Sequence, residues 1–143
     1  MTIKLIDKVE KSIFISTTKA DSHWMKHLTK WAKKGQLGED LFLTHEAASP
    51  MSYEEAKRLL EPYVRHATLS FILSGENPHY EEWNQALLDL AVETHSRLCI
   101  MRIPLTKDPV PEQLIHLEEV AFNPNAIQKQ FRDLRNFSYL RGM

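Results

Sequence analysis

Thr68-Leu-Ser-Phe-Ile-Leu-Ser74, closed by Gly75, is the stretch on which the fold turns. A short apolar run ended by a turn residue reads as a strand buried on both faces. Ile13-Phe-Ile-Ser-Thr17 and Leu98-Cys-Ile-Met-Arg-Ile103, the latter stopped by Pro104, have the same character, and Leu41-Phe-Leu-Thr44 is a shorter fourth candidate. Helical patterns separate them. Trp24, Met25, Leu28, Trp31 and Ala32 share one stripe in 22–34, with Asp21 or Ser22 as the cap and Gly35 as the stop. Ser52 and Glu55 form a capping box ahead of Ala56, Leu59, Leu60, Tyr63 and Val64, with a break expected near Glu61 because Pro62 follows. Pro78 precedes a helix from about Tyr80 to His95, with Trp83, Leu87, Leu90 and Ala91 buried. Residues 104–111 hold three prolines and read as a loop. Leu117–Phe122 reads as a short fifth strand or a helix end. Asn123 and Pro124 open a last helix whose apolar face is Ile127, Phe131 and Leu134.

Strands alternating with helices predict parallel β-α-β units. The expected fold is therefore α/β and flavodoxin-like: a three-layer sandwich around a mainly parallel sheet of four or five strands. In such sheets ligands bind beyond the carboxyl ends of the strands, where the strand order switches. That rule gathers Ser16 to Asp21, Thr44 to Ser49 and Ser74 to Trp83 around one crevice.

Composition narrows the chemistry. The chain has 143 residues, Lys+Arg 18 against Asp+Glu 19, a net charge of -1, four glycines and one cysteine. The length suits one domain, read here as spanning 1–143. Near-neutral charge offers no field to draw nucleic acid or an anionic membrane, so neither is expected as a partner. A homo-oligomer is left open. One cysteine excludes a disulfide framework and multi-cysteine metal sites. With Gly35, Gly38, Gly75 and Gly142 alone, neither G-x-G-x-x-G nor a P-loop can be written. The N-terminal Met1–Lys11 mixes charge among its apolar residues and lacks a signal-peptide core, so a cytoplasmic location is expected.

The crevice loops exclude more. A phosphoacceptor receiver needs an Asp where the third strand ends, and Ser74 stands there. The G-x-S-x-G elbow of a serine hydrolase is absent. Ser16-Thr17-Thr18-Lys19 has the hydroxyls of a phosphate loop without its glycine and reads equally as a polar turn. His23 and His27 stand one helical turn apart on the charged face, as a solvated pair or as metal ligands; Trp24 occupies the place of a zincin Glu. His45-Glu46, just past a strand end, offers an imidazole and a carboxylate for ribose hydroxyls or proton transfer, or is a polar loop pair. Cys99, mid-strand, reads as a small core hydrophobe. Lys129, Arg132, Arg135 and Arg141 form a basic face near the C-terminus.

Ile13-Phe-Ile-Ser-Thr-Thr-Lys-Ala-Asp21 with Trp24 and Leu28 resembles the opening strand, loop and helix of TIR domains. Thr68–Gly75 with Trp83 eight residues on, and Arg97–Ile103, resemble the family's next strands. The likeness covers about 12–104 and is nearest to small prokaryotic antiviral TIR-like domains of the Thoeris kind. It implies NAD or an ADP-ribose derivative as substrate or ligand, or assembly with a TIR-type protein partner. The family's enzymes carry a catalytic Glu four residues after the helix-opening Trp, a position held here by Leu87. Leucine can neither accept a ribose hydrogen bond nor stabilise an oxocarbenium-like charge. The same gap counts against a nucleoside deoxyribosyltransferase. Glu82 lies roughly 140° around the helix from Leu87, so Glu46 and Glu81 are the candidate substitute carboxylates.

The expected function is a TIR-like module in NAD-linked signalling or antiviral defence that binds an NAD- or ADP-ribose-type nucleotide or a TIR partner, its catalytic activity left open, with Ser16, Thr17, Asp21, His45, Ser74, Trp83 and Asn84 lining its pocket. The alternatives are an NAD glycohydrolase or other N-ribosyl hydrolase or transferase using Glu46 or Glu81, and a ligand-free oligomerisation or scaffold protein.

Overall fold

The computed structural model describes residues 12–38, 41–75, 80–107 and 109–142, with side chains through Leu134. The readings made of Met1–Lys11 and of Pro78, and of the side chains of Arg135 and Arg141, lie outside the described residues.

Strands β1 (Ser12–Thr18), β2 (Phe42–Ala48), β3 (Leu69–Ser74), β4 (Arg97–Arg102) and β5 (Glu119–Val120) form one sheet in the order β2-β1-β3-β4-β5. Every pairing is parallel. Helices α1 (Met25–Lys33), α2 (Tyr53–His66), α3 (Glu81–Thr94) and α4 (Pro124–Gly142) connect and cover it. This is the flavodoxin-like three-layer sandwich.

Alternation along the strands builds two cores. Phe14, Ile72, Leu98 and Ile100 face α2 and α3, where Ala56, Leu60, Val64, Trp83, Leu87 and Leu90 pack on them. Ile13, Ile15, Leu69, Phe71, Leu73, Cys99 and Met101 face the other way, onto Met25 and Leu28 of α1 and Ile127 of α4. Strands covered on both faces need apolar residues at successive positions, which is why β1, β3 and β4 read as continuous apolar runs.

The helix starts follow local chemistry. Ser52 Oγ accepts from the Glu55 N–H at 3.2 Å, and Asn123 Oδ1 accepts from the Ala126 N–H at 2.8 Å. Leu117–Phe122 yields the two-residue β5, and α3 ends at His95 in the left-handed region (φ 56°).

Four expectations need correction. β2 does not stop at Thr44 but runs to Ala48, so His45 and Glu46 are strand residues. As an outer strand, β2 is held by its backbone ladder to β1, from Ser12↔Phe42 to Thr18↔Ala48, and needs no unbroken apolar run. Helix α2 runs through Pro62 without a break. Pro62 and Arg58 are both exposed, so the Arg58 carbonyl left without its N–H partner faces solvent. Ala56, Leu60 and Val64 hold the helix to the sheet on both sides of that point. The helix expected from Ser22 begins as a 3-10 turn, Ser22–Trp24, and becomes α-helical at Met25; Asp21 precedes the turn without a side-chain cap bond. His27, placed on the charged face from the sequence, lies half-buried with its ring 5.4 Å from Trp24, 6.3 Å from Trp31 and 6.2 Å from Phe122. Positions 24, 27 and 31 follow the i, i+3, i+7 spacing of one helix stripe, and Phe122 covers it from the turn after β5.

Candidate functional site

The chain leaves β1 toward β2 on one side and continues from β3 toward β4 and β5 on the other, so strand order switches between β1 and β3. Buried polar side chains concentrate at the carboxyl ends of these two strands. Of the seven among the described residues, five are Ser16, Thr17, Asp21, Ser74 and Asn84. Ser16 and Thr17 come from β1, Ser74 ends β3, and Asn84 lies in the first turn of α3. Asp21 follows β1 and reaches Gly75: a Cβ on Gly75 would stand 2.8 Å from Asp21 Oδ2 and 2.9 Å from Ile103 Cδ1. These five residues, gathered at one crevice by the sequence reading, lie together at the strand ends.

These groups are engaged with one another. The Trp83 indole N–H donates to Ser16 Oγ at 2.8 Å across 67 residues of sequence. Trp83 is 1% exposed and is a core residue rather than a crevice wall. The Thr18 hydroxyl donates to Asp21 Oδ2 at 3.1 Å and accepts from the Asp21 N–H at 3.2 Å. Among the described residues, a small hollow lined by Ser16, Thr17, Thr18, Ala48, Tyr80 and Asn84 leaves about 10 Å³. That is room for about one water.

Gly75 is the one glycine whose missing Cβ is needed at this site. Gly75→Ala is expected to lose about 1–3 kcal/mol, the usual cost of forcing atoms into a packed region. Asp21→Ala in the same chain should recover part of that loss, because the two changes share a contact. Urea denaturation of the two single variants and the double variant checks this; a Gly75→Ala protein as stable as the wild type contradicts the packing.

The carboxylates proposed as substitutes lie elsewhere. Glu46 shares a sheet face with Ser16, its register partner, but its Oε2 accepts from the Tyr63 hydroxyl at 2.7 Å. Tyr63 stacks on Phe14 with ring centroids 5.0 Å apart. Since α2 runs back along the sheet, that bond draws Glu46 toward the amino ends of the strands. The Glu46 charge raises the Tyr63 hydroxyl pKa above its ordinary value, chiefly through the hydrogen bond. His45 is exposed and points to the opposite face from Glu46, so the two do not act as a pair. Glu81 is exposed in the first turn of α3, its carbonyl accepting from Gln113 Nε2 at 3.0 Å. Leu87 is 0% exposed, inside the core beneath α2 and α3. Neither Glu46 nor Glu81 lines the crevice; the carboxylate buried at these strand ends is Asp21, which accepts from the Thr18 hydroxyl.

His23 is exposed with Nδ1 3.1 Å from the Ala20 carbonyl. The His23 and His27 rings both lie beside Trp24, at 5.5 and 5.4 Å, and no group of three potential metal ligands occurs among the described residues. Cys99 is buried, and desolvation pushes its thiol pKa up. Sequence reasoning missed Tyr63, which appeared only as one more member of an apolar stripe. It also missed the contact of Tyr53, whose hydroxyl donates to Asp89 Oδ2 at 2.5 Å and joins α2 to α3. That bond is the main cause holding the Asp89 carboxyl below its ordinary pKa.

Two larger hollows lie away from the crevice. One, about 480 Å³, sits at the amino ends of β1 and β2 against Pro62, Tyr63 and His66. The other, about 600 Å³, follows the outer side of α3 along Gln85, Asp89, Val92, Gln113 and His116.

No family model matches the chain, and no curated protein matches it. Among solved structures, it is similar to a protein assigned as a lipoprotein from Peptoclostridium difficile 630 (fragment), at 9% identity and TM-score 0.47, over 88% of this chain and 97% of that one. It is also similar to a GDP-L-fucose synthetase from Naegleria fowleri, at 15% identity and TM-score 0.42. That match covers 87% of this chain and spans 42% of the synthetase. Neither likeness says what this chain binds or does. No helix among the described residues is long and apolar enough to cross a membrane.

Proposed function

We propose that the protein is a TIR-like module of NAD-linked signalling or antiviral defence that does not cleave NAD and works by engaging a TIR-type partner in the cytoplasm. The observation that carries the reading is Leu87: where the resembled enzymes present a glutamate, this chain has a leucine closed into its core. A glycohydrolase must hold a carboxylate within hydrogen-bond reach of the reacting ribose. Glu46 is turned toward Tyr63 and Glu81 toward solvent, which favours a silent module over a rescued enzyme. Among the described residues, the engagement of Ser16 by Trp83 and of Asp21 by Thr18 favours a protein partner over an NAD- or ADP-ribose-type nucleotide.

Nicotinamide release from NAD, with melting curves in millimolar NAD and ADP-ribose, tests the reading. No release above a protein-free blank and no rise in Tm are the expected results. Release that disappears in Glu46→Gln or Glu81→Gln would replace this reading with the working enzyme. A rise in Tm without release would make the nucleotide the ligand of the module.

A further inference from the structure

We propose that two copies of this chain join edge to edge through β2, antiparallel about a twofold axis at His45, so that one sheet continues into the other. The two outer strands of the sheet differ sharply. β5 has only two residues, runs at once into the turn before α4, and carries Glu119 in an ion pair with Arg102 at 2.6 Å. Short, charged edges of that kind resist pairing with other chains. β2 has seven residues, Phe42-Leu-Thr-His-Glu-Ala-Ala48, without lysine or proline. Its one ordinarily charged side chain, Glu46, is already engaged by Tyr63. Among the described residues β2 pairs only with β1, which leaves its second row of backbone donors and acceptors open to a further strand.

The occupant is a second copy because the strand complements its own reverse. With His45 opposite His45, antiparallel pairing sets Phe42 against Ala48, Leu43 against Ala47 and Thr44 against Glu46. Phe42 and Leu43 each meet an alanine, and Thr44, whose hydroxyl donates to the Ile13 carbonyl at 3.4 Å, meets Glu46. No carboxylate faces another, and like charges directly opposed are what destabilise such pairs. Opposed residues in an antiparallel pair share a face, so Phe42, 63% exposed in the single chain, gains Ala48 of the other copy as cover. The interface is isologous and closes on itself as a dimer. It uses only the sheet edge and does not depend on the TIR reading; the nicotinamide and melting results leave it untouched.

Light scattering and sedimentation equilibrium from about 10 μM to about 1 mM, a range spanning ordinary weak association, test the pairing. The wild type is expected to reach twice 16.7 kDa. His45→Glu and His45→Lys each place like charges on the axis and are expected to weaken the dimer roughly fivefold. Mixed in equal amounts, the two variants should form a heterodimer tighter than either homodimer. Phe42→Ser, at an exposed site, should also weaken it, and far-UV circular dichroism of all three variants should match the wild type. A wild type that stays monomeric through the range overturns the proposal. So does a dimer indifferent to all three substitutions, or a mixture with no preference for the heterodimer.

Discussion

Replacing Leu87 by glutamate is expected to unfold the protein rather than to install a glycohydrolase. Leu87 lies among Phe14, Ile72, Trp83 and Leu90 with no exposed surface. Emptying such a site to alanine typically costs about 2–5 kcal/mol. A glutamate loses the same packing and adds a carboxyl that must either be buried with its charge or be held protonated by a raised pKa. The sum approaches the whole stability of an ordinary domain, about 5–15 kcal/mol. Far-UV circular dichroism and urea titration should show loss of the cooperative transition. Leu87→Met, which conserves volume, should cost less than about 1.5 kcal/mol. A Leu87→Glu protein that folds like the wild type and releases nicotinamide would show that this face of α3 opens to the crevice.

Trp83→Ala is expected to lower the unfolding free energy by about 3–5 kcal/mol, as for other buried large aromatics. It removes the largest fully buried side chain and leaves the Ser16 hydroxyl without its indole donor. Trp83→Phe keeps most of the apolar volume and should lose about 1–3 kcal/mol, chiefly for the hydrogen bond. The gap between the two variants in urea midpoint separates packing from hydrogen bonding. A Trp83→Ala protein of wild-type stability would contradict the core placement.

The elements that could be read from the sequence are those whose residue types answer to local demands. β1, β3 and β4 are enclosed by helices and carry unbroken apolar runs. Ser52 and Asn123 cap helices through bonds that span three residues. β2 was half legible because its carboxyl half, Thr44 to Ala48, is fixed by a ladder to a strand about 30 residues earlier, and such a ladder places little demand on side-chain type. The candidate site divides the same way. Ser16, Asp21, Ser74 and Asn84 could be placed near the switch point by topology alone. That Trp83 would occupy Ser16, and Thr18 would occupy Asp21, depends on distances set only once the helices have docked. Tyr63 drawing Glu46 away from the crevice is a contact of the same kind.

The central position of β1 has a consequence for how the chain acquires its structure. β1 is the first described strand, yet both of its neighbours come later: Phe42–Ala48 on one side and Leu69–Ser74 on the other. Its pairing with β3 joins Ile13 to Leu69, a span of 56 residues. During synthesis Ile13-Phe-Ile can pair with Phe42–Ala48 on one side but stays open on the other until Leu69–Ser74 has left the ribosome. Non-local parallel pairing of this sort slows folding and prolongs exposure to aggregation. The interval in which the nascent chain most needs protection therefore ends when β3 arrives to enclose β1.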